Sequence, residues 1–167
     1  MDALPALLHN YQIIHQTGRE HFKEVSALAE VVLEGHAFKA RYRPFDYLNP
    51  LAMGMAAGAA NLIVARAGAT TIAEIALWGK PSILIPLALS KRDHQRKNAF
   101  NYARTGASVV LEEKNLTTSI IEAEIRRILE LPEEKDKMSR QARGFARPQA
   151  AVVIAQELLD MAQKHEE

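Results

Sequence analysis

The stretch Arg66–Asn98, RAGATTIAEIALWGKPSILIPLALSKRDHQRKN, decides the fold. An apolar run over Asn61–Ala65 leads into it, a turn follows at Gly68, and the segment Thr71–Trp78 is predicted as a helix. A glycine and a proline end that helix, and a second apolar run covers Ser82–Ile85. Continuous apolar runs of this kind are typical of strands buried on both faces of a parallel sheet. The stretch therefore predicts a strand–helix–strand unit.

The same alternation extends to both sides of this unit. Further strands are predicted over Tyr11–His15, Phe38–Tyr42 and Ser108–Leu111. Further helices are predicted over Arg19–Glu34, Asp93–Arg104, Thr117–Leu131, Glu133–Gly144 and Gln149–His165. Strands that alternate with helices favour an α/β fold with a Rossmann-like, doubly wound parallel sheet.

The amino-terminal segment departs from this pattern. Met1–His9 is helix-like, whereas a doubly wound domain usually begins with a central strand and a phosphate-binding turn. We therefore expect a first strand to be missing before Met1. Its loss is expected to leave unpaired strand edges, which favour self-association.

Composition places the chain among ordinary globular domains. It has 167 residues, of which 48% are apolar and 25% are charged, and this suits one domain with a substantial core. The net charge of +1 argues against sequence-independent binding of nucleic acid. The absence of cysteine excludes disulfides and thiolate chemistry. No apolar run approaches the roughly 18 residues that cross a bilayer, and the first residues do not resemble a signal peptide.

The turn Gly68-Ala69-Thr70-Thr71 is the first candidate site. In an open parallel sheet, ligands bind outside the carboxyl ends of the strands, and a helix begins here with unpaired N–H groups and a partial positive charge. A diphosphate fits such a site, because Gly68 permits close approach and the threonine hydroxyls can donate to phosphate oxygens. The turn alone is a weak signal, since many α/β turns resemble it.

Glu74 has two interpretations. As a carboxylate near the start of the helix it can accept both hydroxyls of a ribose, as the acidic residue of dinucleotide folds does. The alternative is a capping box, Thr71-x-x-Glu74, in which Glu74 only satisfies the helix terminus. Spacing alone favours the capping box.

A second candidate group follows the predicted strand Ser82–Ile85. His94, Gln95 and Asn98 begin the next predicted helix on the same edge of the sheet, where amides and an imidazole can hydrogen-bond sugar hydroxyls. The alternative for His94 and Gln95 is a solvated first turn. Asp93 is predicted as the N-cap of that helix.

The charged residues around these candidates have simpler interpretations. Arg66 either holds the turn or makes a salt bridge to a neighbouring loop. A solvated basic face is predicted for Lys91, Arg92, Arg96 and Lys97. The histidines before residue 40 show no metal-ligand spacing, so no metal site is expected. The order of residues supports no Ser-His-Asp arrangement.

Several of these pieces together resemble one known family. They are Arg66–Glu74, Gly79–Pro81, Ile85–Pro86, Asp93–Ala99, Thr105–Val110 and Leu116–Thr117. The chain, from about Leu4 onward, is similar to the donor-binding half of the MurG family of bacterial peptidoglycan transferases. Members of that family move N-acetylglucosamine from UDP onto lipid I and so form lipid II.

The resemblance implies a GT-B transferase of the inverting type that needs no metal or other cofactor. Residues 69–74, including Ile72 and Ala73, would hold the diphosphate and ribose of UDP-N-acetylglucosamine. The resemblance thus favours the ribose role for Glu74. Gln95, with His94 beside it, would contact the N-acetylglucosamine. A backbone group near Phe45 and Asp46 would contact uracil, although the chain carries extra residues over Asn49–Gly54 relative to the family.

The resemblance also implies parts that this sequence does not show. In the family, a Gly-Gly-Ser turn precedes the matched region, and an amino-terminal domain binds lipid I, touches the cytoplasmic membrane and supplies the general base. We therefore expect residues 1–167 to form a UDP-sugar-binding domain that does not turn over alone. The complete protein is expected to be cytoplasmic and peripheral on the inner face of the membrane.

Two other classes share features with this sequence. UDP-N-acetylglucosamine 2-epimerases have the same fold and a similar glycine-plus-glutamate turn. Transferases of the eukaryotic endoplasmic reticulum keep the donor half on a separate, non-catalytic chain. Release of 2-acetamidoglucal would favour the first class, and a partner chain with an acceptor domain would favour the second.

Overall fold

The structure is a computed structural model that describes residues 1–88 and 93–164. The predictions that concern Ser90, Lys91, Arg92 and His165 lie outside these ranges. Helices and strands alternate along the chain, as the sequence predicts. The strands are β1 (Ile13–Gln16), β2 (Tyr42–Phe45), β3 (Ile63–Ala65), β4 (Ser82–Leu84) and β5 (Ser108–Val110). The helices are α1 (Leu4–Leu8), α2 (Phe22–Val32), α3 (Pro50–Ala59), α4 (Ala69–Trp78), α5 (His94–Ala103), α6 (Thr118–Glu130), α7 (Pro132–Phe145) and α8 (Ala150–Lys164).

All strand pairs in the described residues are parallel, which confirms the predicted α/β class with parallel strands. The strands form two ladders, β1–β2 and β3–β4–β5. Strand β4 is central in the larger ladder, and its three residues are buried, as a strand covered on both faces should be. No ladder joins β1 to β3 within the described ranges, so each of these strands has one open edge.

The two ladders nevertheless share part of their core. One cluster of buried residues contains Ile83 of β4 together with Leu7 and two isoleucines of α6, and Ile13 of β1 packs against it. A second cluster covers the other face of the larger ladder and joins Leu84 to α4, α5 and α7. The larger ladder is therefore a middle layer between helices, as in doubly wound domains.

The side chains that flank the open edges are apolar and exposed. Val64, the middle residue of β3, is 46% exposed, although its register partner Ile83 is fully buried. Ile14 of β1 is 51% exposed. The apolar side chains of these two edge strands are thus less covered than those of the central strand β4.

The second predicted strand is displaced in the structure. Phe38–Tyr42 was expected to be a strand, but Lys39–Arg41 forms a short 3₁₀ helix and the strand is β2. Pro44 lies inside β2, opposite His15. A proline has no N–H to donate and is tolerated only on an edge strand, so the sequence suggested that the strand ended before it. β2 is such an edge strand in its ladder.

Helix α3 was not predicted from the sequence. Asn49 caps it, since its Oδ1 accepts a hydrogen bond from Ala52 N at 2.9 Å, and Pro50 occupies the first turn. The helix has two glycines and almost no separation of polar and apolar faces, with Leu51 and Met55 exposed. Helical periodicity therefore did not indicate this helix, and the sequence of its first turn was the local signal that remained.

The open edges predict uneven protection of backbone amides. Ile63 N donates to Pro81 O, so the N–H of the next residue, Val64, points away from β4 toward the open edge. By the same alternation, Thr17 N donates to Phe45 O and the N–H of Gln16 points away from β2.

We expect the amides of Val64 and Gln16 to exchange with deuterium much faster than the amide of Ile83, because they lack a ladder partner. Residue-resolved hydrogen exchange measures this difference. Protection of Val64 and Gln16 equal to that of Ile83 would show that another chain already pairs with these edges.

Candidate functional site

The carboxyl ends of β3, β4 and β5 meet at one edge of the larger ladder. Arg66 directly follows β3, and its guanidinium donates from Nη1 to the carbonyl oxygen of Ile85, just after β4, at 3.2 Å. Its Nη2 donates to Glu113 Oε1, just after β5, at 2.7 Å. The predicted turn, the connection after β4 and the connection after β5 are therefore neighbours in space, as parallel strands require.

The first turn of α4 presents backbone N–H groups without a partner among the described residues. Gly68 is the N-cap, in an extended conformation, and no side chain caps the helix. The first helical hydrogen bond runs from Ile72 N to Gly68 O at 3.0 Å. The N–H groups of Ala69, Thr70 and Thr71 consequently remain open, with the positive end of the helix dipole behind them.

Glu74 lies on the same face of α4 as Thr70 and Thr71, because residues three and four apart are neighbours on a helix. These three side chains are exposed or half-buried, whereas Ile72 and Ile75 face the core. The carboxylate of Glu74 has no partner among the described residues. A carboxylate therefore lies on the same face of the helix as the two threonine hydroxyls, near the first-turn amides.

The capping-box interpretation of Glu74 is wrong. Helix α4 begins at Ala69, two residues before the predicted start at Thr71. Thr71 is thus the third helical residue, and Glu74 lies too far along the helix to reach back to the N-cap. Glycine is favoured as an N-cap and has no side chain to reveal the position, which is why the sequence suggested a later start.

In the structure, Ile72 and Ala73 offer no free backbone donor to a ligand. The N–H of Ile72 is used within the helix and its side chain is only 5% exposed, so it offers no donor to a ligand. Ala73 is exposed, but it lies beyond the first turn, where N–H groups bond within the helix. Within the described part of the chain, the N–H groups of Ala69, Thr70 and Thr71 are the donors of α4 that have no partner.

Gln95 is held in a defined orientation. Its Oε1 accepts a hydrogen bond from Leu87 N, in the connection after β4, at 3.0 Å. This bond assigns the oxygen of the amide and leaves the Nε2 group, with its two hydrogens, to donate elsewhere. The orientation of Gln95 therefore leaves its Nε2 hydrogens available as donors at this edge.

The other predicted residues of α5 have different environments. Asn98 is half-buried, and its Nδ2 donates to the carbonyl oxygen of Ala67 at 3.4 Å, which ties α5 to the turn before α4. His94 is exposed in the first turn of α5. Asp93 precedes the helix, but it does not cap it with its side chain and adopts a left-handed conformation at φ 57°. Such a conformation is strained for a residue other than glycine.

Asp46 and Phe45 lie at the carboxyl end of β2, in the smaller ladder. Phe45 O accepts from both the N–H and the hydroxyl of Thr17, at 2.9 and 3.1 Å, so this carbonyl is already engaged. The carboxylate of Asp46 accepts from Tyr47 N at 2.7 Å. The backbone N–H and C=O of Asp46 have no partner among the described residues and remain available to a base.

Sequence analysis missed the acids that follow β5. Glu113 accepts from Arg66 through Oε1 and from Ala88 N through Oε2 at 3.2 Å, and these two bonds, Arg66 first, lower the pKa of its carboxyl group. Glu112 accepts from Arg96 Nε at 2.6 Å, and Arg96 and then Lys114 lower its pKa. Adjacent acids after a strand give no sequence signal of a role, because Arg66, Ala88 and Arg96, which donate to them, lie in distant parts of the chain.

Metal-ligand clusters and membrane-spanning helices are both absent from the described residues. Within residues 1–88 and 93–164, no three acidic or histidine side chains come together in a way that would hold a metal ion. None of the helices in those ranges is long and apolar enough to cross a membrane.

Comparison with known proteins identifies relatives of this chain. The sequence model of the glycosyltransferase family 28 C-terminal domain matches residues 2–156. A UDP-N-acetylglucosamine--N-acetylmuramyl-(pentapeptide) pyrophosphoryl-undecaprenol N-acetylglucosamine transferase from Anaeromyxobacter sp. (strain K) is 36% identical over 98% of this chain and 42% of its own length. The protein of the same name from Sorangium cellulosum (strain So ce56) is 38% identical over 90% of this chain and 36% of its own length.

A solved structure agrees with these sequence relatives. MurG from Acinetobacter baumannii superimposes with a TM-score of 0.74 at 26% identity, over 98% of this chain and 44% of that one. The chain thus spans about two fifths of the length of the curated relatives and of the solved protein that it matches. The matched part includes β3, α4 and α5, on which the candidate site lies.

Proposed function

The chain belongs to the glycosyltransferase family 28 C-terminal domain family, and on that premise we propose that residues 1–167 bind the UDP-N-acetylglucosamine donor of an inverting transferase. Its fold is that of the C-terminal half of a GT-B glycosyltransferase. The relatives named above are N-acetylglucosamine transferases that use a lipid-linked acceptor. Of the two substrates of such a transferase, the donor is the one that fits the candidate site of this chain.

The observation that carries the proposal is the open first turn of α4. The N–H groups of Ala69, Thr70 and Thr71 have no acceptor within residues 1–88 and 93–164, and they lie at the positive end of a helix of ten residues. A diphosphate supplies acceptors and negative charge together, which is why such termini bind phosphate groups. The hydroxyls of Thr70 and Thr71 supply further donors at the same end.

Glu74 suits the ribose of the nucleotide. It lies five residues beyond Ala69, about 7.5 Å along the axis at 1.5 Å per residue, and shares the exposed face with Thr70 and Thr71. Its carboxylate can accept from the two ribose hydroxyls, and charged acceptors form the stronger hydrogen bonds. A nucleotide whose diphosphate contacts the first turn can therefore extend its ribose along this face.

The N-acetylglucosamine and the uracil lie at opposite ends of the donor, so each needs its own contacts. Gln95 Nε2, with the exposed His94 beside it, is placed to donate to the hydroxyl or acetamido oxygens of N-acetylglucosamine. The backbone of Asp46 is the candidate contact for uracil. Asn98 acts on the site indirectly, since its amide holds the turn that precedes Gly68.

The acceptor side of the reaction is proposed for the complete protein. More than half of the length of the relatives lies outside the part matched by this chain. A transferase must hold both substrates in one cleft, and the described residues offer a donor site. We infer that lipid I, the general base and contact with the inner face of the cytoplasmic membrane belong to the remaining part, and that no metal takes part.

Replacement of Glu74 tests the ribose contact. We expect Glu74→Ala to weaken UDP binding by about 1.5–3 kcal/mol, because charge-assisted hydrogen bonds are lost, and this corresponds to roughly 10- to 150-fold in Kd. Isothermal titration calorimetry with UDP measures the change. Glu157→Ala removes an exposed helical glutamate of α8 and serves as the control. UDP affinity of Glu74→Ala equal to that of the control would exclude the ribose role.

Replacement of Gln95 tests the sugar contact. Gln95→Glu keeps an acceptor for Leu87 N but has no Nε2 donor, whereas Gln95→Ala removes both groups. We expect both variants to lower the affinity for UDP-N-acetylglucosamine more than the affinity for UDP. Calorimetry with the two ligands gives the comparison. If each variant weakens both ligands by the same factor, Gln95 does not contact the sugar.

A further inference from the structure

Three side chains from other parts of the chain hold the connection that follows β4 in place. Residues 85–88 lie beyond the end of the strand, where most of the backbone bonding of the ladder stops. Arg66 binds Ile85 O, Gln95 accepts from Leu87 N, and Glu113 accepts from Ala88 N. The position of this connection depends on these contacts, because it belongs to no helix or strand.

We propose that Glu113 is a positioning residue for the sugar end of the donor site. This inference rests on the proposed donor function. One carboxylate bridges Arg66, beside the phosphate-binding turn, and Ala88, in the connection whose Leu87 orients Gln95. Glu113 thus sets the distance between the groups that hold the diphosphate and the amide that reads the sugar.

The bridge requires the two oxygens of a carboxylate. Oε1 accepts from Arg66 at 2.7 Å while Oε2 accepts from Ala88 N at 3.2 Å. A glutamine at this position keeps one acceptor, and its NH₂ group would face either the guanidinium or the N–H, which are both donors. An alanine keeps neither bond. Glutamate, glutamine and alanine at position 113 are therefore expected to show a graded loss of affinity for the sugar nucleotide.

The effect is expected at the sugar end because the two ends of the site are built differently. The open amides of α4 are fixed by the helix itself, through the bond from Ile72 N to Gly68 O. Gln95 is oriented by Leu87 N, which belongs to the connection that Glu113 restrains. Loss of Glu113 leaves the phosphate donors in place and releases the Oε1 end of the Gln95 amide, which accepts from Leu87 N.

A purely structural role makes a different prediction. Arg66 is about half exposed and Glu113 about one third exposed, and ion pairs of this kind contribute little to folding. A simple surface salt bridge would alter neither ligand, and a contact needed for folding would alter both. Selective loss of the sugar contribution separates the positioning role from these two alternatives.

The test measures the binding of UDP and UDP-N-acetylglucosamine to the 167-residue chain by calorimetry. We expect Glu113→Ala to weaken UDP-N-acetylglucosamine about five- to tenfold, the scale of one misplaced neutral hydrogen bond, and UDP by less than about twofold. Glu113→Gln should give an intermediate loss. Glu124→Gln, which alters an ion-paired glutamate on α6, is the matched control and should change neither ligand.

A double-mutant cycle shows whether Glu113 acts through Gln95. In the Glu113→Ala background, Gln95→Ala should cost little further affinity for UDP-N-acetylglucosamine, because the amide is already misplaced. Hydrogen exchange at the amide of Leu87 should also become faster in Glu113→Ala. Fully additive losses, together with unchanged exchange at Leu87, would overturn the positioning role.

The outcomes distinguish this inference from the function on which it rests. If the unmodified chain binds neither UDP nor UDP-N-acetylglucosamine, the donor-site proposal fails and the positioning role fails with it. If the unmodified chain binds both ligands and Glu113→Ala changes them equally or not at all, only the positioning role is wrong. Selective weakening of the sugar nucleotide supports both.

Discussion

The account depends on the fact that an α-helix cannot satisfy its own first N–H groups. In α4 the N-cap is a glycine without a side chain, and the N–H groups of Ala69, Thr70 and Thr71 have no partner among the residues that the structure describes. They lie at the carboxyl edge of a parallel sheet. The ladder β3–β4–β5 fixes that place, because parallel strands bring their carboxyl ends to one edge. This edge is the one that we propose for the diphosphate of the donor.

The site combines a rigid part with an adjustable part. The proposed phosphate-binding turn joins β3 to α4, and its residues Ala67 and Ile72 lie in the core. The sugar end is built from a connection that polar side chains hold, chiefly Arg66, Gln95 and Glu113. Under the proposed function, the fold would preorganise recognition of the nucleotide, whereas recognition of the sugar would depend on a small network of hydrogen bonds.

Much of the fold could be predicted from the sequence, since apolar runs and glycine stops identified β3, β4, β5 and most helices to within a few residues. The errors have local causes. Pro44 concealed an edge strand, α3 lacks amphipathic periodicity, and a glycine N-cap concealed the true start of α4. The division into two ladders was beyond periodicity, because pairing depends on which strands meet in space.

The candidate site was predicted less completely than the fold. The strand–turn–helix pattern and the resemblance to a known family indicated Gly68 to Glu74 and Gln95, all of which lie near the same edge. Glu112 and Glu113 were missed because Arg96, Ala88 and Arg66, which donate to them, lie 16 to 47 residues away along the chain. Local patterns reveal backbone sites well, but hydrogen bonds between distant loops appear only when the chain is folded.

The most direct test of the central claim is to follow the backbone amides of the chain by ¹H–¹⁵N NMR during titration with UDP. If a diphosphate docks on the open first turn of α4, the amide signals of Ala69, Thr70 and Thr71 will show the largest shifts and will saturate together. Saturable shifts at other residues with these three signals unchanged would contradict the account, because UDP would then bind away from the helix terminus.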